Sequence, residues 1–212
     1  MAIKLLDHIH EDYVHNRRTR ILSDQIAPLL PKNGRVLDIG CGDGLLSRNI
    51  QEKRKDISIE GIDVLLRPKV HIPIKQFDGK HLPYANHSFA AVMFIDVLHH
   101  TDDPLVLLRE AARVSRSLLV LKDHTRDGFL SGPTLRLMDW VGNARHGVAI
   151  SANYWTEERW RHTFAALNLT VNYWTANVPL YPWWASWIFG RSLHFVACLT
   201  QPFQDASRRA PG

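Results

Sequence analysis

Between Val36 and Ser47 the chain reads VLDIGCGDGLLS, an apolar run that breaks into glycines at positions 40, 42 and 44. Few folds accommodate such a stretch. A residue without a Cβ adopts positive φ at little cost and lets another group approach the backbone. The run before it, RVLDI, reads as a short buried strand. Asp43 to Lys53 reads as a helix with Leu45, Leu46 and Ile50 on one side. Strand, glycine turn and helix together open a βαβ unit, and the free N–H groups at the start of that helix favour a carboxylate or a phosphate.

The rest of the chain continues the alternation. Residues 3–30 read as helical until Pro31. ISIEGI (Ile57 to Ile62), HIPIKQF (His71 to Phe77), AAVMFI (Ala90 to Ile95) and SLLVLK (Ser117 to Lys122) read as strands. Asp103 to Val114 reads as a helix with Leu105, Leu108, Ala112 and Val106 inward. Residues 134–150 are ambiguous. Thr156 to Leu167 has a helix start, with Thr156 as N-cap and two glutamates in the first turn, and Leu169 to Thr175 and Ser192 to Leu199 are two last strands. Pro73 cannot donate to a ladder, so its strand belongs at a sheet edge. AAVMFI, apolar throughout, belongs in the centre.

Composition excludes several classes. A chain of 212 residues, 45% hydrophobic and 22% charged, with net charge +5, is ordinary globular material. Its basic residues form no stripe that would follow phosphates, which argues against nucleic-acid binding. Two cysteines, Cys41 and Cys198, make neither a zinc motif nor a disulfide framework, which fits a reducing cytoplasm. The opening MAIKLLDHIHEDY lacks a secretory h-region, and no apolar run nears the roughly 20 residues that span a bilayer.

Two ligand classes suit the glycine turn. A dinucleotide fingerprint requires G-x-G-x-x-G, but Leu45 stands where the third glycine belongs. The following strands each end on an acid: Asp63, Asp78 and Asp96. With Asp38 they are expected along one edge of the sheet.

VLDIGCGDG, GIDV, FDGKHLPYANHSFAAVMFIDVLHH and REAARVSRSLLVLKD together resemble the class I S-adenosylmethionine-dependent methyltransferases. Within these the chain is most similar to the small-molecule branch (methyltransferase type 11) that includes the ubiquinone and menaquinone biosynthesis enzymes. The resemblance covers Arg35 to Asp123. It implies a Rossmann-like α/β fold, a seven-stranded sheet in the order 3-2-1-4-5-7-6 with strand seven antiparallel and helices on both faces. It also implies one domain over residues 1–200, with 1–30 as a helical lid or cover carrying Tyr13 at the cofactor; residues 201–212 read by themselves as a flexible tail. The turn formed by Asp38, Gly40, Cys41 and Gly42 would hold the methionine part of S-adenosyl-L-methionine, whose product is S-adenosyl-L-homocysteine. Asp63, followed by Val64, would take the ribose hydroxyls. Asp78 and Gly79 would meet the adenine, and Ile95 and Asp96 would lie below the sulfonium. Two departures stand out: VLLRPKVH is too short for the usual helix before strand three, and RVSRS replaces a Pro-Gly-Gly turn. Both bear on the acceptor side.

Methyl transfer needs orientation, exclusion of water and a base only where the acceptor loses a proton; it needs no metal. Among twelve histidines, His124 and His100 are the candidate catalytic residues, and His124 is the candidate base. The aromatic segment containing Trp183, Trp184, Trp187 and Phe189 reads as core or homodimer contact. Alternatively it forms an apolar acceptor pocket with Trp140, Tyr154 and Trp155, or contacts a membrane surface. The expected acceptor is a small apolar or aromatic, even lipid-like, molecule, with O-methylation ahead of C- or N-methylation. The alternatives are an NAD(P)-dependent oxidoreductase and a non-catalytic cofactor-binding partner subunit.

Overall fold

A computed structural model describes residues 16–127, 131–136, 153–180 and 193–202. Residues 16–26 are helical (α1) and run into a 3₁₀ turn, Ala27–Leu29. Then follow β1 (Gly34–Ile39), α2 (Leu45–Lys53), β2 (Ile57–Asp63), β3 (Ile74–Gln76), β4 (Phe89–Ile95), a 3₁₀ turn Leu98–His100, α3 (Pro104–Val114) and β5 (Ser115–His124). Residues 131–136 (α4), Glu157–Ala166 (α5), β6 (Thr170–Thr175) and β7 (His194–Thr200) complete the order.

The seven strands form one sheet in the order β3-β2-β1-β4-β5-β7-β6. β3 to β5 are parallel, and β7 runs antiparallel to both β5 and β6. This is the expected order. β3 lies at the edge and begins directly after Pro73, whose carbonyl accepts a hydrogen bond from the Gly61 N–H at 2.9 Å. Because β1, β2 and β4 are parallel and in register (Ile39 opposite Ile62 and Phe94), their carboxyl ends share one edge.

Alternation along the strands sorts side chains between two cores. Leu37, Val92, Phe94, Leu119, Leu121 and Phe195 face α3 and α5. Val36, Ala91, Met93, Val120 and Val196 face α1 and α2, meeting Leu22, Ile26 and Ile50. α3 differs from expectation by one position. It begins at Pro104 under an Asp103 cap and buries Pro104, Leu107, Leu108, Ala111 and Val114, while Leu105, Val106 and Ala112 are only partly covered. β5 is longer than expected. α3 passes into it without a loop, and Gln201 tethers the junction through the carbonyls of Ala112 and Ser115 at 3.0 and 2.9 Å. Among the described residues no helix is long and apolar enough to cross a membrane.

Candidate functional site

The turn after β1 is shaped by its glycines. Gly40 has φ +70°, and a Cβ there would lie 2.5 Å from Val97 Cγ2. Gly42 has φ +61°, and a Cβ there would meet nothing within 4 Å. The first glycine is demanded by packing, the second opens toward space. That space is a cavity of about 490 Å³ lined by Asp38, Gly40, Cys41, Gly42 and Asp43 from the turn and Ile95 from β4. α1 closes one side with Arg18, Thr19 and Leu22, and the β2–β3 connection contributes Arg67, Pro68 and Lys69.

Asp38 is buried and points, like Val36, toward α2. One of its oxygens accepts from Ser47 Oγ at 2.6 Å. The other, Oδ1, has no hydrogen-bond partner among the described residues. Its pKa is pushed up to about 7, chiefly by burial, with the Ser47 bond pulling it back and the Asp63 charge raising it further. Cys41 packs against Gly61. Burial, together with Asp38 and Asp63, pushes its thiol up, so it is a neutral packing group at the cavity wall.

Asp63 ends β2 and braces the turn: Oδ2 accepts from the Gly42 N–H at 2.8 Å and Oδ1 from the Leu65 N–H at 2.9 Å. Gly79 (φ +80°) packs on Val64, where a Cβ would lie 3.2 Å from Val64 Cγ1. Asp78 faces solvent. It accepts from the Lys80 and His81 N–H groups, each at 2.7 Å, and lies 3.0 Å from His81 Nδ1, contacts that hold its carboxyl below the ordinary range. Val64, Asp78 and Gly79 thus lie beside the cavity rather than in its lining.

A second group of polar side chains stands beyond Ile95. Asp96 has φ +57° and directly follows β4, its N–H donating to the Lys122 carbonyl at 2.8 Å. Its carboxylate pairs with both Arg18 and Lys122, and one oxygen lies 3.3 Å from His124 Nε2. Burial works to raise the Asp96 pKa, but Lys122 and Arg18 outweigh it and hold the carboxyl well below its usual range. His124 Nδ1 is 3.3 Å from the Leu193 carbonyl. Burial and the neighbouring Lys122 push that imidazole well below its usual value, so it is neutral.

Strand parity explains the grouping. Lys122 shares the α1-facing side of β5 with Val120, and there it meets Arg18 and Asp96. Asp123 points the other way. Its carboxylate lies 2.5 Å from His99 Nδ1 and accepts from the Leu98 and His124 N–H groups at 3.0 and 2.7 Å. Both partners of this pair are inaccessible to solvent. The His99 ring lies 3.9 Å from that of His100 and 4.7 Å from that of His124. Asp96, His99 and His124 each bring one ligand-type atom within 4.8 Å of the others, a set that can hold a metal ion. The Asp96 carboxylate is nevertheless already neutralised by two cations.

The structure therefore brings Asp38, Gly40, Cys41, Gly42 and Ile95 around one cavity and places Asp63 against them. Asp96, His100 and His124 fall in the adjoining cluster. Tyr13, Trp140, Trp183, Trp184, Trp187 and Phe189 lie outside the described residues. Of the remaining aromatic candidates, Trp155 is a core residue whose ring is tilted against Trp160 at 4.7 Å, whereas Tyr154 lies 5.7 Å from the His99 ring. Sequence reasoning missed Lys122, His99 and Asp123 as a group. KDH at the end of a strand, following LHH at the end of its neighbour, was the available signal.

A family model described as a methyltransferase domain matches residues 13–173. 27-O-demethylrifamycin SV methyltransferase of Amycolatopsis mediterranei is 30% identical over 113 residues, 46% of this chain. The match spans 41% of the length of that curated relative. Among solved structures, an S-adenosylmethionine-dependent methyltransferase from Mesorhizobium loti superposes with TM-score 0.62 at 17% identity, over 82% of this chain and 94% of the other. One from Methanosarcina mazei superposes with TM-score 0.60 at 17% identity, over 84% and 97%. The [4+2]-cyclase SpnF superposes with TM-score 0.64 at 16% identity, over 87% and 81%. At these identities the structural likeness is one of fold, while the family match spans most of the sequence. The chain belongs to the class I S-adenosylmethionine-dependent methyltransferases.

Proposed function

We propose that this protein methylates a hydroxyl group of a small apolar or aromatic molecule. The observation that carries this reading is the glycine-walled cavity, open beside Gly42 and lined by Asp38 and Ile95. S-adenosylmethionine fits the residues present. The unpartnered Asp38 Oδ1 is an acceptor in a buried wall, suited to an ammonium group, and Gly42 leaves open the volume a side chain would fill. Asp63 keeps a second lone pair on each oxygen for the two ribose hydroxyls. Exposed Asp78, with Val64 and Gly79, would meet the adenine amine beside the cavity, and Ile95 would floor the site with Asp96 beyond it. When bound, S-adenosylmethionine supplies a methyl group activated by its sulfonium.

The chain's own residues then orient the acceptor, exclude water and receive its proton. Asp123 draws the Nδ1 hydrogen of His99 toward itself, which makes Nε2 the basic nitrogen. His99, held by Asp123, and His124, beside Asp96, are the two candidate bases. His100 is partly exposed at the rim. α1 covers the cavity through Arg18, in keeping with a lid role for the N-terminal segment. The named hydroxyl chemistry of the rifamycin relative supports the preference for O-methylation.

Calorimetric titration with S-adenosylhomocysteine and, separately, NADH tests the donor: heat with the first and none with the second is expected. A panel of phenols and hydroxylated macrocycles with methyl-labelled donor tests the acceptor. Against any acceptor found, His99→Ala should lower turnover by about 10²–10⁴-fold, the range of a lost general base, with S-adenosylhomocysteine affinity unchanged. Equal turnover in His99→Ala and wild type would remove His99 from the reaction, and labelling of none of the panel would favour the non-catalytic subunit.

A further inference from the structure

Five large apolar side chains are prominently exposed among the described residues, and four of them fall in one seven-residue segment: Val64 (52%), Leu65 (45%), Leu66 (47%) and Val70 (46%). This is the β2–β3 connection, where the short VLLRPKV holds Pro68 instead of a helix that would bury such residues. Arg67 and Lys69 sit between the apolar side chains and also line the cavity. From Val64 to Phe77 the sequence contains no acid, while Arg67, Lys69 and Lys75 are basic.

We propose that residues 64–70 form a docking surface for an anionic phospholipid bilayer. Apolar side chains interleaved with cations are what a membrane interface accepts: the aliphatic groups enter the acyl boundary and the cations stay at the headgroups. A seven-residue strip is too small for a stable protein interface, which needs about 800 Å² from each partner. Shallow insertion requires only a few side chains. The charge matches as well, since anionic headgroups attract the acid-free segment. Docked this way, the protein would present the cavity, through Arg67 and Lys69, to the bilayer in which an apolar acceptor concentrates. The proposal does not depend on which acceptor is methylated.

The test is co-sedimentation of the full chain with vesicles of phosphatidylglycerol and phosphatidylcholine in equal parts, against pure phosphatidylcholine. Several-fold preference for the anionic vesicles, weakening with salt, is expected. Leu65→Ser with Leu66→Ser should lower partitioning at least about tenfold, and Lys69→Glu by about tenfold, given roughly 1 kcal/mol for each basic residue at such a surface. The leucine variant should keep its thermal midpoint and its S-adenosylhomocysteine titration. Equal sedimentation with both vesicle types, or equal binding by wild type and variants, overturns the proposal. So does loss of vesicle binding at saturating S-adenosylhomocysteine, which would make the cofactor the cover. A concentration-dependent dimer abolished by the leucine variant would assign the surface to a second copy instead.

Discussion

The two halves of the site are built in opposite ways. The cavity wall from Asp38 to Gly44 is a backbone structure: positive φ angles, a missing Cβ at Gly42, and an amide hydrogen braced by Asp63. The cluster beyond Ile95 is made of side chains from α1, β4, β5 and β7. Asp38 and Asp96, both buried carboxylates, show the contrast. Asp38 is desolvated by burial with no cation paired to it among the described residues and is pushed up, whereas Asp96 sits between two cations and is held down. Local geometry creates a place for a charge to arrive; tertiary pairing neutralises charges already present.

The largest effect should come from breaking the side-chain half. Asp96→Ala strands Lys122 and Arg18 against one another, and removing one partner of a buried pair costs about 3–5 kcal/mol. Urea unfolding should register that loss. An unchanged midpoint would mean the cluster is solvated and the contrast is false.

Gly40→Ala attacks the backbone half. It adds the cost of a left-handed residue, about 1–2 kcal/mol, to a clash with Val97 worth about 1–3 kcal/mol. S-adenosylhomocysteine titration should weaken along with stability. If stability falls while affinity holds, the turn is only a structural corner.

The smallest effect is a difference in pH dependence. A carboxyl raised on folding stabilises fully below its unfolded value of 3.8, and that contribution is lost as pH climbs through about 7. Asp38→Asn should therefore flatten the decline in unfolding free energy across that window. Asp96, depressed on folding, acts oppositely: its stabilisation is present above 3.8 and is lost as pH falls below that value. S-adenosylhomocysteine, bringing an ammonium, should bind more tightly as Asp38 ionises through about pH 7, and Asp38→Asn should abolish that rise. A flat affinity profile in wild type would place the ammonium elsewhere.

Much of this fold was legible before any coordinates. Strand alternation, Pro73 at an edge and Thr156 as a cap are local signals, and each corresponds to the element observed. The one-position error on α3 arose because an amphipathic stripe can be drawn through either Leu105 or Leu107 until the sheet it covers is known. β5 was read too short for a similar reason: Asp123 and His124 look like loop residues, and only their pairing with Phe195 and His194 extends the strand.

What the sequence by itself determined is the class of molecule and its glycine-walled turn, because the glycine spacing and the strand-end acids act through a short piece of chain whose geometry they dictate. What only the tertiary structure decided is which charges meet. Arg18 and Asp96 are 78 positions apart, and Lys122 and His194 are 72 apart. No local pattern encodes such pairings. They follow from sheet order and strand parity, which send Lys122 to one face and Asp123 to the other. The same packing leaves Leu65 and Leu66 facing water, since the short β2–β3 connection gives them no helix partner under which to fold.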